Sequence, residues 1–264
     1  MPPNDVVRRD LQTTTQLDFK DEIEPMPMPL VHQPMAVAVQ GPPETTQITE
    51  PEINTAPYRS VGRMALTCKN RQNLSGSGWV IARRAFMTAG HCVYDRERGG
   101  WIVKASFCPR FNVDCAGKTY TVETAFTLRG FLDNFNEADR QYDLAVCVVT
   151  EPFEATEPPL PFVANPTPPS RYAAIGYPGK PIPEYQFNDK RMWRSSGKLL
   201  LADKMLFAEN NLTTGASGGP WCAPEENWVV RGITAARVTP NPNTAVSPLF
   251  AQGFQNLYDA IKDL

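Results

Sequence analysis

Ser217 stands between Gly215-Ala216 and Gly218-Gly219, inside the run TTGASGGP from Thr213 to Pro220. Small residues on both sides let the main chain turn tightly, expose the hydroxyl and aim the N–H groups of Gly215 and Ser217 at a developing oxyanion. A serine hydroxyl is a poor nucleophile until an imidazole takes its proton. That imidazole in turn needs a carboxylate on its other nitrogen to fix the tautomer and stabilise the cation. The chain has two histidines, and His32 falls in a proline-rich stretch, so His91 in TAGHC (Thr88 to Cys92) is the available base. Asp143, which opens the apolar run DLAVCVV, is the expected carboxylate, partly desolvated yet able to accept from His91. Asp95, four residues after His91, suits a local cap better. The chemistry of such a set is attack of an alcohol on a carbonyl carbon. Taken singly the motifs are weak: a glycine-flanked serine is more often a plain loop, and a lone histidine more often structural.

Elements that would position these groups follow from the apolar pattern. From Tyr58 onward the chain runs in short apolar stretches separated by glycine, proline and asparagine, among them VGRMALTC, SGWVIARRAFMTA, YTVETAFTL, DLAVCVV, YAAIGYP and WVVRGITAA. This predicts antiparallel β-structure, with His91 just after one strand and Asp143 at the start of another. Phe254, Leu257, Tyr258, Ile261 and Leu264 recur at the spacing of one helix face, which predicts a terminal helix. Many short strands over about two hundred residues fit a sandwich, one closed barrel or two small barrels, and periodicity does not choose among them.

Bulk composition narrows the function classes. The 264 residues carry a formal net charge of −2 and are 42% hydrophobic, which gives no basic footprint for nucleic acid and none for an anionic membrane surface. No apolar run approaches the roughly 18–20 residues that cross a bilayer. Neither nucleic acid nor membrane is an expected partner. With no second histidine near His91, no CxxC spacing and no glycine-rich phosphate loop, no metal and no cofactor are expected.

Six cysteines are too few for a disulfide scaffold in a chain this long. Cys108 and Cys115 flank a short polar loop and are expected to pair; Cys68 and Cys92 are the other expected pair. Cys147 and Cys222 sit in apolar surroundings and are expected as buried thiols. Disulfides imply an oxidising compartment, so a secreted or periplasmic location is expected. The N-terminal MPPNDVVRRDLQ nevertheless lacks an apolar leader, which keeps a cytoplasmic location open.

Residues 1–57 differ from the rest. They hold ten of the 26 prolines and nine acidic against three basic residues, a net of −6, while the remainder carries +4. Two readings stand: a disordered tail, or an acidic pro-segment, as in a zymogen, lying over a mildly basic cleft.

The order His91, Asp143, Ser217, with gaps of 52 and 74 residues, makes the pattern specific. TAGHC, DLAV and GASGGP in that order resemble the chymotrypsin-like (trypsin-like) serine peptidases. GYPG (Gly176 to Gly179), Met192-Trp193, Ser196 to Lys198 and the Thr-Thr-Gly before the serine resemble their bacterial glutamyl-endopeptidase branch. The resemblance covers about Tyr58 to Leu264. It implies an all-β fold of two six-stranded antiparallel β-barrels of chymotrypsin type with a C-terminal α-helix. The first barrel would span about 58–155, the second about 170–252 and the helix about 253–264. His91 and Asp143 would lie on the first barrel, Ser217 on the second, and Gly215 and Ser217 would form the oxyanion hole. The implied activity is peptide-bond hydrolysis by a monomer acting on protein or peptide substrates. A rival reading is a catalytically silent binding module on the same fold. Trypsin-like members place an aspartate directly before the serine; Ala216 stands there, which excludes activation through that ion pair. Glutamate-specific members carry Gly-Ile-His-Trp after the nucleophile, whereas this chain reads Gly232-Ile233-Thr234-Ala235-Ala236. Arg237 follows and offers positive charge to an acidic side chain; Asn211, Thr213, Thr214 and Thr234 are pocket-wall candidates by position.

Overall fold

The structure, a computed structural model, describes residues 3–14, 16–17, 19, 23–32, 42–115, 117–133, 137–164, 171–202, 204–239 and 243–264. The described part of the first 57 residues contributes four short strands, β1 (Val6–Asp10), β2 (Glu24–Pro25), β3 (Leu30–His32) and β4 (Glu44–Gln47), and one helical turn, α1 (Glu50–Ile53). Strands β5 (Val61–Thr67), β6 (Asn73–Ala82) and β7 (Ala85–Thr88) follow, then a small hairpin of β8 (Tyr94–Asp95) and β9 (Gly100–Trp101). The first half ends with β10 (Lys104–Pro109), β11 (Tyr120–Leu128), the turn α2 (Arg129–Asp133) and β12 (Ala145–Val149). The second half holds β13 (Arg171–Gly176), β14 (Trp193–Ala202), β15 (Met205–Glu209), β16 (Pro220–Ala223), β17 (Val229–Ile233), β18 (Ala236–Thr239) and β19 (Thr244–Pro248), before α3 (Gln252–Asp259).

In the first half the order β11-β10-β5-β6-β7-β12 returns to β11, so six antiparallel strands close on themselves. Closure encloses an apolar interior and leaves β11 an unpaired edge only beyond the end of β10. Phe86 stacks on Phe107 with centroids 4.0 Å apart, and all five residues of β12 are buried. The second half forms a curled sheet in the order β17-β16-β13-β14-β15-β19-β18, packed around Tyr172, Leu206, Ala245 and Trp221. Each such large side chain contributes about 1.5–3 kcal/mol on burial. The all-β, chymotrypsin-type architecture with a terminal helix is therefore the observed one. Its second sheet runs as an open ladder among the described residues.

The described part of residues 1–57 departs from the disordered-tail reading. Strand β10 stops pairing with β11 at Thr121, leaving one edge of Thr124–Leu128 free, and β1 fills it, with Val6 opposite Leu128. Likewise β4 covers the free edge of β14, Gln47 opposite Trp193. Exposed sheet edges are templates for pairing, and a polar, proline-punctuated segment satisfies them as well as an apolar one. Thr49 and Glu52 form a reciprocal capping box that starts α1.

Cysteine chemistry matches the sequence expectation in part. Cys108 and Cys115 are disulfide-bonded, and Cys147 and Cys222 are buried free thiols. The Cys68–Cys92 pairing is wrong: both are buried free thiols. The residue facing the Cys92 sulfur is Gly76, where an added Cβ would stand 3.2 Å from Sγ. Cys68 lies in a tight turn of its own, its N–H donating to the Gln72 carbonyl. The terminal helix stops at Asp259, short of the expected Leu264. Phe254, Leu257 and Ile261 are buried as their spacing predicts, but Leu264 is 48% exposed.

Candidate active site

His91 sits in a single 3-10 turn that follows β7, and Asp143 lies just before β12, the strand paired with β7. That pairing brings two residues 52 positions apart face to face. The Asp143 carboxylate accepts from the His91 main-chain N–H at 2.8 Å and meets Nδ1 of the ring at 2.9 Å. One carboxylate thus fixes both the backbone and the orientation of the imidazole through Nδ1, leaving Nε2 outside that contact. Burial of the ring opposes its charge, but the charge and hydrogen bond of Asp143 together with Cys92 outweigh this and hold the His91 pKa above its ordinary value. Burial likewise acts to raise Asp143, and His91 with Arg140, 3.6 Å away, brings it below the usual carboxylate range. Asp95 takes no part: it accepts from the Glu97 N–H at 2.9 Å and pairs with Arg98, a local cap as expected.

Ser217 lies in the turn between β15 and β16. Gly215 and Gly218 have φ of +92° and +86°, values that favour glycine. A methyl group at Gly218 would collide with Thr88 Oγ1, and one at Gly219 with the Ile175 carbonyl. The loop is pinned to the opposite sheet by Ser77 of β6. Ser77 N–H donates to the Ser217 carbonyl at 2.8 Å and its hydroxyl to the Gly215 carbonyl at 2.9 Å. The same hydroxyl accepts from the Tyr177 N–H at 2.9 Å, and Thr88 Oγ1 donates to the Ser77 carbonyl at 2.8 Å. Sequence reading missed Ser77 and Thr88. The only available signal was a small polar residue in LSGSGW with no place in an apolar alternation.

His91 and Ser217 are 6% and 0% exposed, and among the described residues neither Nε2 of His91 nor Oγ of Ser217 has a hydrogen-bond partner. The Gly215 N–H, one of the two expected oxyanion donors, donates to the Met26 carbonyl at 3.1 Å. Met26 to Pro29, His91 and Arg140 line one small cavity of about 180 Å³.

The pocket-wall candidates are largely committed to hydrogen bonds within the fold. Thr234 Oγ1 accepts from the Trp221 indole at 2.9 Å, and Thr213 Oγ1 donates to the Lys180 carbonyl at 2.7 Å. The Asn211 N–H donates to Ser195 Oγ at 3.2 Å, and the Thr214 carbonyl accepts from Gly179 N–H at 2.7 Å. Arg237 donates from Nη2 to the carbonyls of Asn210 and Leu212, and burial lowers its pKa to about 10.

A buried carboxylate–imidazole pair on a closed barrel, with a glycine-framed serine loop tied to that barrel through Ser77, fits the two-barrel serine-peptidase class. Residues 76–233 match the model of the trypsin-like peptidase domain, more than half of the chain, and the chain belongs to that family. It is 24% identical over 188 residues to the glutamyl endopeptidase of Bacillus licheniformis, covering 69% of this chain and 54% of that protein. The chain therefore spans about half the length of this curated relative. Among solved structures, a Glu endopeptidase in complex with MPD superposes with a TM-score of 0.68 at 20% identity, over 86% of this chain and all (100%) of that one. Protease Anisep from Arthrobacter nicotinovorans gives 0.67 at 19% identity, over 78% and 96%. At these identities the structural likeness speaks for the fold.

Proposed function

We propose that the chain is a serine endopeptidase that hydrolyses peptide bonds through an acyl-enzyme on Ser217. His91 Nε2 takes the Ser217 proton as Oγ attacks the carbonyl carbon, then delivers it to the leaving amine. A water repeats the sequence to release the acid. Asp143 holds the imidazole with Nδ1–H toward itself and stabilises the imidazolium. The N–H groups of Gly215 and Ser217 receive the oxyanion; loss of one such donor typically costs about 10²–10³ in rate. The observation that carries this reading is the double engagement of His91 by Asp143, at ring and backbone, on the sheet that Ser77 ties to the serine loop.

The relative's name, a glutamyl endopeptidase, and the place of Arg237 beside Asn210 and Leu212 favour an acidic side chain before the scissile bond. Thr234 in place of a histidine leaves Arg237 as the cation for that role. The Cys108–Cys115 disulfide favours an oxidising, extracytoplasmic setting.

Trapping tests the mechanism. An activated ester of a short peptide, quenched in acid, should add the acyl mass to the fragment that contains Ser217, and His91→Ala should abolish the adduct. Acylation at another residue, or equal acylation without His91, contradicts it. Peptide-library cleavage without enrichment of acidic residues before the cut contradicts the role of Arg237.

A further inference from the structure

Residues 25–29 read Pro-Met-Pro-Met-Pro. Each proline fixes φ near −65° and restricts the residue before it to extended conformations, so this stretch is stiff before it touches anything. Three N–H donors are lost to proline, and the two that remain belong to Met26 and Met28. Met26, Met28 and Val31 are buried, whereas Pro27 and Leu30 are exposed. The segment therefore lays one apolar edge against the body of the protein.

Its path crosses the site. Strand β2 pairs with β6 of the first sheet, Pro25 opposite Ser75, and β3 pairs with β18 of the second, Leu30 opposite Arg237. Met26 N–H donates to the Ser75 carbonyl at 2.7 Å, the Met26 carbonyl accepts from Gly215 N–H at 3.1 Å, and the Pro29 carbonyl accepts from Arg237 N–H at 2.9 Å. The Pro25 ring packs on the bare faces of Gly179 and Gly215, where an added Cβ would stand 2.6 Å and 3.1 Å from its Cβ. Met28 joins the apolar cluster of Tyr172, Leu212, Ala216 and Trp221. These contacts are main-chain bonds and apolar packing. They differ from the charge attraction between acidic tail and basic cleft that composition suggested.

We propose that Glu24–His32 is an autoinhibitory strap: it spans both sheets, seals His91 and Ser217 from solvent and occupies the Gly215 oxyanion donor with the Met26 carbonyl. The proposal rests on the peptidase reading. The bond after that carbonyl leads to Pro27, a tertiary amide in a rigid ring, so the strap fills the site as a poor substrate. Because it is tethered, it competes at an effective concentration on the order of mM, well above the concentration of a dilute peptide substrate. Displacing or removing this segment opens the cleft.

The full chain provides the test. Hydrogen exchange followed by mass spectrometry should find the fragment containing Gly215 protected. Met28→Asp, which puts a carboxylate into the apolar cluster, and Pro25→Gly/Pro27→Gly/Pro29→Gly, which softens the segment, should each relax that protection. Both variants should speed fluorophosphonate labelling at Ser217 by at least about 10-fold. Rapid labelling of the wild type, unchanged in both folded variants, overturns the strap and leaves the peptidase reading standing. No labelling at Ser217 in any folded variant, with the Gly215 fragment exchanging freely, overturns the peptidase reading and the strap with it.

Discussion

The two sheets carry unlike halves of the site. The first, a closed barrel, presents side chains: a carboxylate and an imidazole locked to each other and to the backbone. The second presents main chain: a serine loop whose shape depends on glycines at positive φ and on close approach of bare backbone. The first half of the site thus depends on chemical identity and the second on shape. Substitutions in the first should stop chemistry while the fold survives. Substitutions in the second should cost stability as well.

The largest expected effect is on His91→Ala, lowering kcat by about 10⁶ with an unchanged melting transition. Peptide hydrolysis in a strap-softened background, beside thermal unfolding, checks both halves of that statement. Asp143→Asn follows, with a loss of about 10⁴ through the wrong imidazole tautomer. The acid limb of kcat/KM sharpens this prediction. Catalysis needs neutral His91, and Asp143 raises its pKa, so activity should rise with pH through an apparent pKa above 6.5. Removing the charge at Asp143 should move that limb down. An unmoved limb contradicts the electrostatic role.

On the other sheet, Gly219→Ala sets a methyl against the Ile175 carbonyl and should destabilise by several kcal/mol, about the cost of severe overpacking. Denaturant titration reads it; a shift below about 1 kcal/mol would erase the contrast between the sheets. The smallest effect belongs to Ser77→Ala, on β6 of the first sheet but serving the shape of the serine loop, which leaves the Tyr177 N–H and the Gly215 carbonyl without the hydroxyl that joins them. It should cost about 1–3 kcal/mol in stability and slow turnover with little change in KM.

Legibility in the sequence divides along the same line. His91, Asp143 and Ser217 could be singled out because chemistry demands those residue types and because the order of three motifs is hard to obtain by accident, and the structure brings the first two into contact. The β class was readable from the short apolar runs, and the Cys108–Cys115 bridge from the loop between the two residues. What escaped depended on pairing across the fold. Nothing local marks Gly76, rather than Cys68, as the residue facing Cys92. Nothing in PMPMP states which sheet edges it meets, and acidic composition pointed toward charge where main-chain pairing does the binding. Ser77 was invisible because its hydroxyl serves a loop about 140 residues away, with separations of 138 and 100 residues to Gly215 and Tyr177.

The central claim is that Ser217 becomes a nucleophile only through His91. The most direct test is peptide mapping of the strap-softened chain after reaction with a fluorophosphonate. The account predicts one adduct, on Ser217, that vanishes in His91→Ala; an adduct elsewhere, or one on Ser217 that persists without His91, would contradict it.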